Sequence, residues 1–228
     1  MLKSFILMSA STENFLKTIY CFQKLEARDT KPGSIAKALG ISNAAATDMA
    51  KKLSVRKLVL YEKYQPLNLT NEGEKIALQI LRKHRLWETF LHKTFGMSLL
   101  EIHREAELLE HQTSDFMADK LWEYLGKPDC DPHGDPIPDV EGKVHLHKDN
   151  QVLYKADVNV LFEIKRLINR DEEFFQFCKG NGIEIGTKLQ VVKQYSKNKL
   201  TEILIREQKI LIPQEFSGLV YVRQISEQ

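Results

Sequence analysis

At 228 residues, with 43% hydrophobic and 28% charged residues, the chain is long enough for a sizeable core in roughly one to three domains and has the composition of a soluble globular protein. Three widely spaced cysteines, Cys21, Cys130 and Cys178, argue against a disulfide framework and for a reducing, cytoplasmic compartment. No apolar run approaches the ~20 residues a membrane span needs, and the apolar stretch within Met1–Ala10 is too short for a signal peptide. The net charge of +2 conceals an asymmetry: residues 1–66 hold 11 Lys/Arg against 5 Asp/Glu, whereas residues 87–150 hold 6 against 14. A basic front suits a polyanion, and an acidic middle suits a cation.

Phe15, Leu16, Ile19, Tyr20 and Phe22 predict an amphipathic helix over Glu13–Gln23. Thr30-Lys31-Pro32-Gly33 breaks it, and Ser34 is the expected N-cap of a short helix Ile35–Leu39. Gly40-Ile41 makes a tight turn, and Ser42 caps a further helix to about Leu53. Helix, glycine turn and second helix form a helix-turn-helix. The β-prone stretch Lys57–Tyr64, the turn Gln65-Pro66 and the return Leu67–Thr70 add a hairpin wing. Ser42, Asn43, Ala44, Ala45, Thr47 and Asp48 then lead a recognition helix toward base edges, with the small alanines allowing close approach. Lys51, Lys52, Arg56, Lys57 and Lys63 are the expected phosphate contacts. Lys-rich faces are often merely solvated; the wing and the basic front together favour DNA.

Over Glu74–Phe95, residues Ala77, Leu81, His84, Glu88, Leu91 and Phe95 recur at spacings of three and four, so His84 and Glu88 lie on the apolar stripe of a helix. A second helical segment from about Ser98 carries His103, Glu107, Glu110 and His111 on one face, beside Leu99, Ile102, Ala106 and Leu109. A single His–Glu pair on a helix is usually a surface hydrogen bond. Two such clusters on consecutive apolar faces are better explained by a cation, because buried charge is costly unless paired or metal-bound. Nitrogen and oxygen ligands without thiolate suit Mn, Fe(II), Co, Ni or Zn.

Gln112–Leu125 continues helically until Gly126-Lys127-Pro128 stops it. Pro128, Pro132, Pro136 and Pro138 are four of the seven prolines, so Cys130 and His133 are read as part of a packed turn rather than as ligands. Val144–His147 alternates, placing both histidines on one exposed strand face. Beyond Gln151 the pattern becomes strands at Phe162–Ile168, Lys188–Tyr195, Thr201–Arg206, Lys209–Ile212 and Leu219–Gln224, with a short helix Asp171–Lys179. These predict a small antiparallel barrel.

The segments Thr12–Tyr20, Arg82-Lys83-His84-Arg85-Leu86 with Glu88, Ile102–Glu107 with Leu109-Glu110-His111, and His133–Pro138 together resemble the diphtheria-toxin-repressor family of metal-dependent transcriptional regulators over nearly the whole chain. The resemblance implies a mainly α protein with a β C-terminal part. It would comprise a winged helix-turn-helix domain (1–73), a helical metal-binding and dimerisation domain (74–140) and an SH3-like β-barrel (151–228). It further implies an ancillary metal site of His84, Glu88 and His103, and a second site of Glu107, Glu110 and His111 completed from the first helix at Asn14. Asp171, or Glu172 beside it, is the expected carboxylate lent by the barrel to the ancillary site. Asn14 offers a neutral oxygen, and Lys17 stands where family members lacking a third domain carry another carboxylate ligand. Glu107, where iron-type members have cysteine, favours Mn(II) over Fe(II), with no organic cofactor. The expected function is repression by a homodimer that binds operator DNA when metal is bound. The alternatives are a metal-indifferent winged-helix protein and a helical di-metal enzyme. The enzyme would need Glu-x-x-His pairs, which are absent from both clusters.

Overall fold

A computed structural model describes residues 8–145, 149–168 and 172–225. The expected ligand Asp171, and Leu146 and His147 of the expected strand, lie outside the described residues. The chain divides into two compact units. One contains residues up to His84 with Glu107–Lys120 and Pro138–Lys143. The other contains Arg85–Ala106, Leu121–Ile137 and the chain from Val144.

In the first unit, α1 (Ala10–Tyr20) starts at Ser9, whose side chain accepts the Thr12 N–H, and it buries Phe15, Leu16 and Ile19. A π-helical turn, Cys21–Leu25, prolongs it. Helix α2 (Pro32–Leu39) begins earlier than expected because proline at the first turn forfeits no hydrogen bond. Ser34 is therefore not the cap; its hydroxyl donates to Asp29 Oδ2 at 2.8 Å. Gly40, at φ +64°, ends α2 in the left-handed conformation that glycine adopts without strain. Ser42 then caps α3 (Asn43–Val55), accepting the Ala45 N–H at 3.1 Å. Ala46, Ala50 and Leu53 form the buried stripe of α3. The wing is shorter than its sequence suggested: β1 (Val59–Leu60) pairs antiparallel with β2 (Asn68–Leu69). Lys57 and Tyr64 have positive φ and so cannot continue the strand. Thr70 links wing to helix: its hydroxyl donates to the Lys57 carbonyl at 2.7 Å and accepts the Gly73 N–H at 3.2 Å.

Helix α4 (Asn71–Phe95) follows, then α5 (Leu99–Leu109), a 3₁₀ turn over Glu110–Gln112, and α6 (Asp115–Tyr124). Arg82 pairs with Asp119 at 3.1 Å and Lys83 with Asp115 at 2.9 Å. The apolar stripe of α4 is buried through Leu91, but Phe95 is exposed.

The second unit holds β3 (Gln151–Val152), β4 (Leu161–Leu167), α7 (Glu172–Gly180), β5 (Lys188–Tyr195), β6 (Leu200–Ile205), β7 (Gln208–Pro213), α8 (Gln214–Ser217) and β8 (Val220–Gln224). The strands form an antiparallel sheet in the order β3-β8-β4-β5-β6-β7. Strands β4 and β6 alternate between buried and half-buried positions, as one-sided packing requires. The expected barrel is corrected to an open sheet, with β3 and β7 at its edges. Phe174, Phe175 and Cys178 of α7 share the core with Phe162, Ile164, Val191, Ile203 and Val222. A helix thus covers apolar surface that closure would otherwise have had to bury. Among the described residues no helix is long and apolar enough to cross a membrane.

Candidate metal centre

The first cluster joins α1 to the end of α5. Spacings of three and one place Glu107, Glu110 and His111 around one turn, and the 3₁₀ tightening after Leu109 belongs to the same stretch. Glu110 is fully buried, with Oε2 2.6 Å from His84 Nδ1. His84 Nδ1 is also 3.7 Å from Glu107 Oε1. Ligand atoms of His84, Glu107 and Glu110 lie within 4.8 Å of one another. His111 Nδ1 is 2.6 Å from Glu13 Oε2, and its Nε2 is 3.3 Å from Glu110 Oε1. An Nδ1–H donated to Glu13 leaves the Nε2 lone pair facing the cluster, the tautomer a metal-ligating histidine needs. Lys17 Nζ stands 2.6 Å from both Glu107 Oε1 and Glu110 Oε1, on a side chain only 10% exposed.

Asn14 Oδ1 is buried without a hydrogen-bond partner. An amide oxygen left so carries its full desolvation cost, which a cation would remove. The clustered donors, carboxylate and imidazole, fit a divalent ion of the Mn(II)–Zn(II) series.

The second cluster lies one turn further along α4. Glu88 is fully buried, with Oε1 3.2 Å from His103 Nδ1 and Oε2 3.6 Å from His133 Nδ1. His133 Nδ1 is in turn 3.8 Å from Asp131 Oδ1. Glu88, Asp131 and His133 are all buried and offer ligand atoms within 4.8 Å of one another. The proline-rich turn fixes two of them. Asp131 Oδ1 accepts the N–H groups of His133 at 2.8 Å and Asp135 at 2.9 Å. Gly134, at φ +81°, sits where a Cβ would come 1.9 Å from the Lys165 carbonyl oxygen. Burial, then the carboxylates of Asp135 and Glu88, pushes Asp131 up to about 7. Arg85 Nε lies 3.8 Å from Asp131 Oδ2, and Arg166 Nε bonds Asp135. Two guanidinium groups thus face three carboxylates, an imbalance that a proton or a bound cation corrects.

Within each unit, predicted ligands are brought close together. His84 stands with Glu107 and Glu110, while Glu88 stands with His103, Asp131 and His133. The sequence reading missed Glu13 as the partner of His111, assigned His133 to turn packing and passed over its neighbour Asp131. Asp131-x-His133 inside a glycine- and proline-constrained turn is the signal that could have found them.

On α3, Ser42, Asn43, Ala44, Ala45, Asp48, Lys51, Lys52 and Arg56 are exposed, as is Lys63 in the wing; Thr47 is half-buried. Thr47 donates to the Asn43 carbonyl at 2.8 Å, and Asp48 pairs with Lys52 at 2.7 Å. Ser42, Asn43, Ala44 and Ala45 are thus exposed at the helix start, and Lys51, Lys52 and Arg56 toward its end.

Residues 7–67 match the N-terminal DNA-binding domain of the iron-dependent repressors, and residues 70–139 match their metal-binding and dimerisation domain. The diphtheria toxin repressor of Corynebacterium glutamicum is 28% identical over 203 residues, covering 84% of this chain and 87% of that protein. An uncharacterized HTH-type transcriptional regulator of Methanocaldococcus jannaschii is 38% identical over 120 residues, 53% of this chain and 96% of that protein. A manganese-dependent transcriptional repressor, solved in complex with manganese, superposes with a TM-score of 0.87 at 27% identity, covering 94% of this chain and all of that one.

Proposed function

Because the chain belongs to the iron-dependent repressor family of metal-dependent transcriptional repressors, we propose that it binds operator DNA as a homodimer when Mn(II), or secondarily Fe(II), occupies the cluster at Glu107, Glu110 and His111. The supporting observation is that α1, the helix leading into the helix-turn-helix, bonds directly to the ligand residues. Glu13 holds His111, and Lys17 holds Glu107 and Glu110. Asn14, His84, Glu107, Glu110 and His111 would hold the ion, which supplies two positive charges to the carboxylates. The carboxylate of Glu107, in place of a thiolate, favours the harder Mn(II). A second ion would be held at Glu88 with His103, or with Asp131 and His133. We assign residues 1–73 to DNA binding, 74–140 to metal binding and dimerisation, and 151–228 to a C-terminal β domain, in a cytoplasmic protein.

Asn43, Ala44 and Ala45 would meet base edges, while Lys51, Lys52, Arg56 and Lys63 position the protein on phosphates. The exposed Leu108, at 67%, and Phe116, at 72%, are apolar surface suited to the dimer contact. A metal-indifferent winged-helix repressor is the second reading, favoured by the ammonium of Lys17 already lying among the carboxylates. Fluorescence anisotropy of labelled duplex DNA, with Mn(II), anaerobic Fe(II) or Zn(II) added, separates the two. Metal-dependent binding that Glu110→Ala and His111→Ala abolish supports the sensor. Equal binding with and without metal supports the second reading.

A further inference from the structure

Lys17 bonds both Glu107 and Glu110. Its ammonium stands 2.6 Å from Oε1 of each, while Oε2 of Glu110 is held by His84. The side chain is 10% exposed and Glu110 is fully buried, so the pairing is only weakly screened by solvent. We propose that Lys17 is a tethered competitor of the divalent ion: its ammonium neutralises the ligand carboxylates in the metal-free chain, and the ion binds by displacing it. This rests on the metal-sensor reading and adds to it the residue that sets the concentration threshold.

The physical case is one of charge and reach. An ion using the same Oε1 atoms would share both oxygens with a like charge already in contact with them, which opposes its binding. A lysine can withdraw, because its charge sits on a flexible four-carbon stem and is strongly hydrated once it reaches water. The exchange also preserves the link from α1 to the end of α5. In the metal-free chain Lys17 makes that link together with the Glu13–His111 bond. Glu13, bonded to His111, and Asn14, with its buried oxygen, lie four and three residues before Lys17 on the same helix face.

The test is Mn(II) affinity of the full-length protein, read from the EPR signal of free Mn(II) at fixed salt, together with thermal unfolding of the metal-free forms. The Glu110-dependent site of Lys17→Met and Lys17→Gln is expected to bind Mn(II) about tenfold more tightly than wild type. Their metal-free unfolding midpoints are expected to fall, and added Mn(II) should restore them. Lys17→Arg, which keeps the charge, is expected to gain no affinity. Equal or weaker Mn(II) affinity in both Lys17→Met and Lys17→Gln overturns the proposal. If Glu110→Ala still removes the site from the wild-type protein in that case, the sensor reading survives without the competitor. If wild type shows no Mn(II) site at all, both fall together.

Discussion

His111 joins the two halves of the account at the residue scale, because one ring nitrogen faces Glu13 and the other faces Glu110. Glu13→Gln should therefore weaken Mn(II) binding about 10–100-fold, the usual cost of removing a carboxylate behind a histidine ligand. Unchanged affinity by calorimetry would reduce Glu13 to a packing role. Gly134 carries a backbone rather than a chemical demand: its positive φ and the 1.9 Å approach of a built Cβ to the Lys165 carbonyl leave no room for alanine. Gly134→Ala should lower stability by about 2 kcal/mol or more, seen as a lower denaturant midpoint. Burial pushes the Cys178 thiol up to about 12. Near neutral pH it holds almost no thiolate, and iodoacetamide should modify it only after unfolding; rapid labelling of folded protein would show that α7 opens. His84, Glu88, His103, Glu107, Glu110 and His111 were legible as ligand candidates because helical spacing puts them on apolar faces. That His84 also approaches Glu110 was not legible, since helical spacing alone cannot say which residues of another helix it meets. Asp131 and His133 escaped because their approach to Glu88 depends on a turn whose path no periodicity encodes.

At the scale of elements, capping and glycine signals located α2 and α3 closely, and the 3.6-residue repeat located α4 and α5. Ser42 performs the role its position suggested, and Ser42→Ala should cost about 1 kcal/mol of stability, measured by thermal unfolding. The failures have separate causes. Pro32 displaced Ser34 as the start of α2, and positive φ at Lys57 and Tyr64 shortened the wing. Alternation along β4–β8 revealed one buried face but could not distinguish a sheet closed on itself from one covered by α7. The outward face of α3 makes a further demand. If Lys51, Lys52, Arg56 and Lys63 neutralise phosphates, DNA affinity must fall steeply with salt, and replacing any one by alanine should reduce the logarithmic slope by about 1.

For the whole molecule, the claim is thermodynamic: the ion and the duplex favour the same state of the chain. Family membership, the two matched domains and the bonds from α1 to Glu107, Glu110 and His111 all bear on that coupling, whose size for allosteric mechanisms is typically about 5–150-fold. A complete binding cycle tests it most directly. It uses a duplex selected by the protein from random-sequence DNA, with DNA affinity measured with and without Mn(II), and Mn(II) affinity measured with and without that duplex. The account predicts that each ligand tightens the other by the same factor, well above one, and that Glu110→Ala collapses the factor to one. A factor of one in the wild-type protein, with both ligands demonstrably bound, would contradict it.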